Sequence, residues 1–322
     1  MLDFGNNPLW FMSFGQNFNS LQRSCSTPVW VSIDDTSPGS FTNQQWINSV
    51  YREGSVIHGL IHNEFHDHVA PYCPSIFYSC LYVSVTYASS SDGGATFVMP
   101  PSPLHLVAPP WTTWDPTSGQ AGSPPAYGYL SPTNIVRASD GYFYSMFRAL
   151  DHRTSYADGY CVMRTQTLSD PASWRAWNGS SFSLQMTNPY TGTPPAACTR
   201  VTSSFPGGTL TYNTYLNRFM FVSEGVLGNP AKCGYYFSLS SDLVNWSPPQ
   251  FFGAAYLVFP PCSPPMNGIT GSIAYLSLID HEDPSINFET PGRTPYMYLM
   301  RCNNADCSDR HLIRFPLIIT QF

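Results

Sequence analysis

Positive charge is scarce in this sequence. Lysine and arginine contribute 14 of the 322 residues, Lys232 is the only lysine, and the formal net charge is −6. A nucleic-acid-binding surface needs clustered basic side chains to neutralise phosphates, so we predict no nucleic-acid partner. No apolar run approaches the ~20 residues of a membrane-spanning helix, so we predict no membrane partner. The N-terminal stretch "MLDFGNNPLWFMSFGQ" also lacks the basic start and apolar core of a signal peptide.

Paired C-x-x-C motifs are absent, and they are the usual signature of structural zinc. The sequence nevertheless contains nine cysteines, which is many for a cytosolic enzyme. Cys73 with Cys80 and Cys302 with Cys307 are spaced to close short loops. The odd total leaves at least one thiol unpaired. We predict disulfide bonds and an extracellular or secreted protein despite the missing signal peptide, with no cofactor and no bound metal.

Long amphipathic helix patterns are absent as well. Short aromatic or β-branched runs alternate with Gly, Pro, Asp, Asn and Ser, which is typical of strands and turns. Four hairpin patterns have their turns at Gly54, Gly141, Asn217 and Gly292, separated by 75 to 87 residues. Self-similarity at such a spacing predicts a β-propeller, in which each repeat forms one blade.

Each of the first three hairpins is followed by elements that would complete a blade. A third strand ("LYVSVTYAS", "GYCVMRTQ" or "GYYFSLS") leads to a Ser/Asp turn that ends in an aromatic residue ("SSDGGATF", "LSDPASW" or "SSDLVNW"). In such a turn the short polar side chain bonds backbone amides while the aromatic ring packs against the blade. We predict an all-β fold, a β-propeller with five blades of four antiparallel strands.

The predicted propeller uses residues 1–322 as a single domain. Four blades account for most of the chain, and the remaining N-terminal segments read "PLWFMSF" and "PVWVSI". These segments would pair with the C-terminal "HLIRFPLIIT". The resulting shared fifth blade would close the ring and remove its open edges.

Two motifs carry a resemblance to known families. "SSDGGATF", with Ser90, Asp92, Gly94, Thr96 and Phe97, resembles the Asp-box of sialidase-type propellers. "SSDLVNW" and its preceding hairpin resemble a blade of the five-bladed arabinanase, levansucrase and invertase type of glycosidases. The resemblance covers most of the chain as a blade pattern. It implies a sugar-active propeller without naming a substrate.

The sequence also departs from the resembled patterns. Those glycosidases have key acids at the starts of their innermost strands, where this chain has Asn134 and Asn213. Sialidases use three arginines and a tyrosine nucleophile, and only two arginines fall in the ring of residues described next. The catalytic residues of either family are therefore not transferred. Asp34 and Asp35, in a first-blade turn, remain reserve candidates for a nucleophile or base.

The second strands of the four hairpins supply the candidate site. Aligned by their aromatic pattern, they read "IHGLIH", "FYSMFR", "FMFVSE" and "YMYLMR" and place His62, Arg148, Glu224 and Arg301 at equivalent positions. Equivalent positions in a propeller surround the central axis, so we predict that these side chains converge at one mouth of the channel. Glu64 lies two residues beyond His62, on the same face of the strand.

Glycosidic hydrolysis usually uses two carboxyl groups that flank the bond. We predict Glu64 and Glu224 as that catalytic pair in a glycoside hydrolase acting on an oligosaccharide or polysaccharide. Burial beside aromatic rings would raise the pKa of the acid, and a nearby arginine would hold its partner ionised. The predicted substrate-binding residues include arginines that would grip an anionic sugar and aromatic rings that would stack on sugars: His62, Arg148, Arg301, Asp151, His152, Trp46 and Trp114, with Trp111 and Tyr127 as further aromatic candidates.

Other interpretations of the same residues stay open. A ring of His, Arg and Glu can be a structural ion-pair network without turnover. A metal ion could bind His62, Glu64 and His66 if a loop helped them converge. Taken alone, His66, Asp67 and His68 indicate a solvated loop. "HEDPSINFE" supplies Glu282, Asp283 and Glu289, but an insertion loop can hold acids merely for solubility.

Two further functions compete with hydrolysis. A polysaccharide lyase would use His62 or a tyrosine to remove the proton next to a uronate carboxylate, which Arg148 or Arg301 would neutralise. Its unsaturated product would absorb ultraviolet light, unlike that of a hydrolase. A lectin-like propeller would bind carbohydrate without cleaving it. The sequence leaves the sugar, the linkage and the oligomeric state open.

Overall fold

The computed structural model describes residues 37–67, 73, 80–118, 125–153, 158–203, 207–228, 231–257, 262, 272–303 and 309–321, and the backbone of two short strands nearer the N-terminus. The described part is all-β, as predicted, because its only helical segment is a 3₁₀ turn at Pro171–Ser173. Within these residues no helix is long and apolar enough to cross a membrane. Several predictions fall outside this part, namely those on Asp34, Asp35, His68, Cys307 and the N-terminal "PVWVSI".

The chain divides into two compact units, Met1–Arg200 and Val201–Phe322. The strands of the first unit are β1 (Leu2–Asp3), β2 (Leu9–Trp10), β3 (Gln44–Glu53), β4 (Val56–His66), β5 (Leu81–Ser90), β6 (Leu106–Ala108), β7 (Ala126–Leu130), β8 (Val136–Arg137), β9 (Phe143–Asp151), β10 (Gly159–Thr165), β11 (Arg175–Trp177) and β12 (Phe182–Leu184). Those of the second unit are β13 (Thr202–Ser203), β14 (Gly207–Asn213), β15 (Arg218–Leu227), β16 (Lys232–Ser240), β17 (Gln250–Ala254), β18 (Ile273–Ile279), β19 (Tyr296–Cys302) and β20 (Arg310–Pro316).

The first unit contains one long sheet in the order β12-β11-β10-β9-β7-β5-β4-β3. All neighbours along this path are antiparallel except β5 and β7, which run parallel. The first two predicted blades are therefore joined in one sheet. Gly128 makes this join feasible, because its φ is +126° and a Cβ there would lie 2.1 Å from the carbonyl oxygen of Val83. A side chain at this position would push the two strands apart.

The second unit contains two antiparallel sheets, β14-β15-β16-β17 and β18-β19-β20. Its core consists of apolar side chains from both sheets, including Val222 and Tyr235 from the first and Leu278 and Leu299 from the second. Strand β18 packs against β14 and β15. Side chains of β14 and β15 that face β18 are therefore buried between the two sheets.

The four predicted hairpins are present as antiparallel pairs, β3 with β4, β8 with β9, β14 with β15, and β18 with β19. The predicted third strands are β5, β10 and β16, and each pairs with its hairpin. No sheet among the described strands closes on itself. The blade number, and the single domain with a shared blade, therefore stay predictions.

The Ser/Asp turns have the predicted bonding. Asp92 accepts hydrogen bonds from the Thr96 amide at 2.9 Å and the Thr96 hydroxyl at 2.6 Å, and Phe97 is fully buried. Asp242 accepts in the same way from the amide and side chain of Asn245. In the turn "LSDPASW", Asp170 caps the short 3₁₀ segment. These side chains satisfy amides that a sharp turn leaves without backbone partners.

Disulfide formation is confirmed for the described cysteines. Cys73 is bonded to Cys80, as predicted. The bonds between Cys161 and Cys198 and between Cys233 and Cys262 close longer loops that spacing alone did not indicate. Cys302 is also disulfide-bonded.

Candidate functional site

Alternation along β4 brings three polar side chains to one face of the first unit's sheet. His66 Nε2 lies 2.8 Å from Glu64 Oε2, and His62 Nε2 lies 3.1 Å from Oε1. All three side chains are almost completely withdrawn from solvent. Because an ionised carboxylate only accepts hydrogen bonds, His66, which hydrogen-bonds Oε2, must present a protonated Nε2, whereas His62 makes a close ion-pair contact with Oε1. We call His62, Glu64 and His66 the β4 triad.

The β4 triad stabilises a charged carboxylate. Burial opposes ionisation of Glu64, but the charges of His62 and His66 and their hydrogen bonding outweigh it and lower its pKa to about 2. Both carboxylate oxygens are occupied by histidine nitrogens. None of the described residues forms a group of three or more His, Cys, Asp or Glu side chains arranged to hold a metal ion.

The solvated loop expected at His66 and Asp67 is not what the structure shows. His66 belongs to β4 and its side chain is 5% exposed. Asp67 is also buried, and its Oδ2 accepts a hydrogen bond of 2.8 Å from Trp114 Nε1. The expectation was wrong because β4 continues to His66. The side chain of the next residue, Asp67, then contacts Trp114 instead of pointing into solvent.

The predicted residue Arg148 lies on β9 and already has an acidic partner. Its Nη2 is 2.5 Å from Asp158 Oδ2, and His152 Nε2 is 3.6 Å from the same oxygen. Burial works against the charge of Asp158, but His152 and Arg148 lower its pKa. Sequence reasoning missed Asp158. A signal was available, since Arg148 pairs with Tyr160 across β9 and β10 and Asp158 is two residues away on the same face.

The register places the β4 triad and Arg148 on the same face of the sheet. Glu64 pairs with Val83, Val83 with Gly128, and Gly128 with Leu150, two residues beyond Arg148. Strands β4 and β9 are three strand spacings apart, roughly 14 Å. The side chains between them form a small apolar cluster: Leu81, Val83, Ala126, Leu130 and Leu150. One face therefore holds a charged group at each side of an apolar strip.

Asp151 points to the opposite face. Its carboxylate forms two bonds of 2.9 Å with Arg153, from Nε and from Nη2. The Arg153 guanidinium lies 3.6 Å from the centre of the Tyr127 ring. Successive residues of a strand alternate in direction, so the predicted grouping of Asp151 with Arg148 does not occur. Asp151 stabilises a buried cation–π stack instead.

The aromatic candidates have different environments. Trp46 is half-buried and pairs across the strands with His62, with ring centres 5.7 Å apart, so it belongs to the neighbourhood of the β4 triad. Trp114 stacks on Tyr127 at 5.3 Å, and Tyr127 is fully buried. Trp111 is half-buried against the main core, near Tyr129. Burial removes Tyr127 from the rings that could stack on a sugar.

In the second unit, Glu224 is buried between the two sheets. It lies on β15, opposite Gly207 and Tyr235, and is 2% exposed. Its Oε1 accepts a hydrogen bond of 3.1 Å from the Tyr275 amide of β18. Its Oε2 is buried and has no hydrogen-bond partner within the described residues. A Cβ on Gly207 would lie 3.3 Å from Oε1, so the glycine provides the space that the carboxyl group occupies.

Burial dominates the ionisation of Glu224. Desolvation raises its pKa to about 7, although backbone amides of Tyr275 and Leu276 act in the opposite direction. The nearby Tyr235 hydroxyl, itself desolvated and close to Glu224, has its pKa raised to about 12. Glu224 therefore differs from Glu64 in having no cationic partner against its carboxyl group among the described residues.

The last member of the predicted ring, Arg301, lies on β19 between Ile273 and His311 and is exposed. Each of the four equivalent residues is thus on the second strand of its hairpin, as predicted. Their convergence at one mouth of a channel stays a prediction.

The acids of "HEDPSINFE" are not all surface charges. Asp283 accepts hydrogen bonds from the Thr290 amide and hydroxyl, and Glu289 is buried and accepts from the Ser285 hydroxyl. Glu282 is exposed. The solubility interpretation therefore fails for two of the three acids, because they stabilise the loop by bonding groups within it.

No known protein-family model matches the chain, and no curated protein matches it. Among solved structures it resembles a glycosyl hydrolase from Bacteroides ovatus, at 13% identity and a TM-score of 0.44, covering 92% of this chain and 94% of that one. It also resembles the alpha-L-arabinanase of Cellvibrio cellulosa complexed with arabinohexaose, at 8% identity and 0.45, covering 87% and 78%. A third is an N-acetylgalactosamine deacetylase from F. plautii, at 13% and 0.40, covering 78% and 61%.

Proposed function

We propose that the protein is a glycoside hydrolase acting on an oligosaccharide or polysaccharide, with Glu224 as the general acid and Glu64 as its ionised partner. One observation carries the proposal. Two buried carboxyl groups, singled out from the sequence, have pKa values of about 7 and about 2. Hydrolysis of a glycosidic bond needs one carboxyl group that is protonated and one that is charged at the same pH.

Glu224 has the features of a proton donor. Oε1 accepts the Tyr275 amide, so the acidic proton resides on Oε2, which has no partner among the described residues. With a pKa of about 7, a large fraction of the group is protonated near neutral pH. The proton would pass from Oε2 to the oxygen of the leaving sugar, and because Oε2 is buried, the packing over it has to open to admit the substrate.

Glu64 would complete the reaction as nucleophile or base. Its negative charge persists at any pH above about 2. It would either attack the anomeric carbon, giving retention, or remove a proton from an attacking water, giving inversion. His62 and His66 hold both oxygens through their Nε2 atoms, so one of these contacts has to open when the carboxylate reacts.

A neutral glycan fits the charges better than an anionic one. Arg148 was expected to bind a substrate carboxylate, but Asp158 already neutralises it. Of the two arginines predicted to bind an anionic sugar, only Arg301 would then remain for that role. The same pairing weakens the lyase alternative, which needs an arginine available to neutralise a uronate. We therefore propose that neutral sugars are the substrates.

The proposal requires Glu64 and Glu224 to act on one bond. The five-bladed propeller predicted from the sequence would arrange their strands around a common axis, and it forms part of the proposal. We also infer an extracellular or secreted location, since disulfides such as Cys73 to Cys80 persist in oxidising compartments.

A glycan screen tests this function. Wild type, Glu64→Gln and Glu224→Gln would be incubated with neutral, uronate-containing and sulfated glycans, while reducing ends and ultraviolet absorbance are followed. We expect wild type to release reducing ends from a neutral glycan without absorbance, and both folded variants to lose this activity. Rising absorbance would indicate a lyase. Binding without any product would indicate a carbohydrate-binding protein.

A further inference from the structure

We propose that Tyr275 is a stacking platform for a sugar ring beside Glu224; this inference rests on the proposed function and deepens it. Tyr275 lies in β18 at a bulge, where the register with β19 shifts between Ala274 and Ser277. Its side chain is 73% exposed, the largest value among the large apolar side chains of the described residues. Its neighbours Ala274 and Leu276 are buried.

The backbone at Tyr275 is strained. Its φ is +56°, in the left-handed region that bulky residues rarely adopt. An asparagine or glycine would adopt this conformation at lower cost. Strain of this kind persists where the surrounding structure enforces it, and it is concentrated at functional sites. An aromatic ring at a position that favours a small residue therefore needs an explanation.

The bulge in β18 affects both the backbone and the side chain of Tyr275. It directs the Tyr275 amide at Glu224 Oε1, at 3.1 Å, and the Leu276 amide also acts on this carboxyl group. At the same time it turns the Tyr275 ring outward instead of into the core beneath β18. The ring is therefore attached to the same backbone segment that positions the proposed acid.

An aromatic pair also lies near Glu224 within its own sheet. Tyr235 pairs directly with Glu224 across β15 and β16, and Phe252 lies 5.7 Å from Tyr235 between ring centres. Phe252 is 38% exposed. Aromatic rings thus occur on β18, whose backbone contacts the acid, and on β16 and β17 of the acid's own sheet. Ring faces suit the C–H faces of an uncharged sugar, whereas a phosphate or carboxylate ligand would need cationic side chains.

Three variants separate the ring from the backbone bulge. Tyr275→Asn removes the ring but keeps a residue that tolerates positive φ, so the amide contact to Glu224 is retained. Tyr275→Phe keeps the ring. Tyr215→Asn is the matched control, since Tyr215 is a partly exposed tyrosine in the turn at the opposite end of the β14–β15 hairpin from Glu224. Thermal unfolding would verify that all three are folded.

The test is affinity gel electrophoresis in arabinan, xylan, dextran and, as an anionic comparison, polygalacturonate. We expect a neutral polysaccharide to retard wild type, Tyr275→Phe and Tyr215→Asn, while Tyr275→Asn binds about tenfold more weakly. Equal retardation of Tyr275→Asn and wild type, or no retardation of wild type by any neutral polysaccharide, would overturn the inference.

Hydrolysis assays with the same polysaccharides distinguish failure of the stacking platform from failure of the proposed function. If wild type cleaves a polysaccharide and Tyr275→Asn has an unchanged KM, the platform fails while the proposed function stands. If binding depends on the Tyr275 ring but nothing is cleaved, the proposed function fails while the platform stands.

Discussion

Glu64 and Glu224 have similar burial, but their pKa values are shifted in opposite directions. Their exposed fractions are 8% and 2%, yet their pKa values are about 2 and about 7. Glu64 faces His62 and His66 on its own strand, whereas Glu224 faces backbone amides of β18 and apolar side chains. Desolvation disfavours the charged form in both places. The comparison teaches that the partners of a buried carboxyl group, rather than its depth, decide which form persists.

The largest expected effect concerns the leaving group. Glu224→Gln removes proton donation, so kcat on a natural glycan should fall by roughly 10²- to 10⁴-fold. An aryl glycoside with an acidic phenol leaves without protonation, so the variant should recover most of its rate on that substrate. Glu64→Gln should remain inactive on both, because no leaving group replaces a nucleophile or base. Steady-state kinetics on the two substrates measures this. Equal losses for Glu224→Gln on both would remove it as the acid.

The second prediction is that stability depends on pH in opposite directions at the two sites. Glu224 has a raised pKa, so its contribution is complete below pH 4.5 and is lost as pH rises through about 7. Glu64 has a lowered pKa, so its contribution is complete above pH 4.5 and is lost as pH falls towards about 2. Each shift corresponds to about 3 kcal/mol.

Urea unfolding of wild type, Glu64→Gln and Glu224→Gln from pH 3 to pH 9 checks this prediction. Glu224→Gln should flatten the alkaline decline and leave the acid side unchanged, and Glu64→Gln should do the reverse. If both variants had the same pH dependence as wild type, neither group would be perturbed as described.

Weakening the β4 triad should make Glu64 more like Glu224. His66→Gln replaces a hydrogen bond of 2.8 Å to a charged oxygen, and the free energy of unfolding at pH 7 should fall by about 2 kcal/mol. The acid limb of the stability profile should move to higher pH. His152→Gln is the matched control, since His152 is half exposed and 3.6 Å from Asp158, and we expect little change. A titration of Glu64 unaltered by His66→Gln would contradict the triad's role.

The smallest expected effect is the coupling free energy between Arg148 and Asp158. Their side chains are partly exposed, so solvent screens the pair. A double-mutant cycle with Arg148→Met and Asp158→Asn should give a coupling of about 1 kcal/mol in urea unfolding. A coupling near zero would mean that Arg148 is energetically available to a substrate, and the proposed preference for neutral sugars would lose its support.

Much of the fold was predictable because it depends on local interactions. The hairpins, the third strands and the turn at Asp92 follow from alternation and turn chemistry within about 40 residues. The Cys73–Cys80 bond follows from a seven-residue separation. The parallel join between β5 and β7 was missed, because it brings together strands separated by a long loop and depends on the absence of a side chain at Gly128.

The sequence identified residues of the candidate site better than it identified the side chains that they contact. Alternation on β4 correctly placed His62, Glu64 and His66 on one face. The same rule, applied past Arg148, would have turned Asp151 away from it and selected Asp158 across the hairpin. The predicted arginine beside the ionised carboxylate is instead a pair of histidines. These misses share one cause, since the neighbour of a side chain in a sheet is set by register rather than by closeness along the chain.

By itself, the sequence determined the all-β class, the hairpins and the shared face of the β4 triad, because strand alternation and turn chemistry are local. The tertiary structure alone decided that the pKa of Glu64 is lowered and that of Glu224 raised, that Arg148 is paired with Asp158, and that Tyr275 is turned outward. Each of these depends on which groups a distant strand brings against a side chain, and on how much water that packing removes.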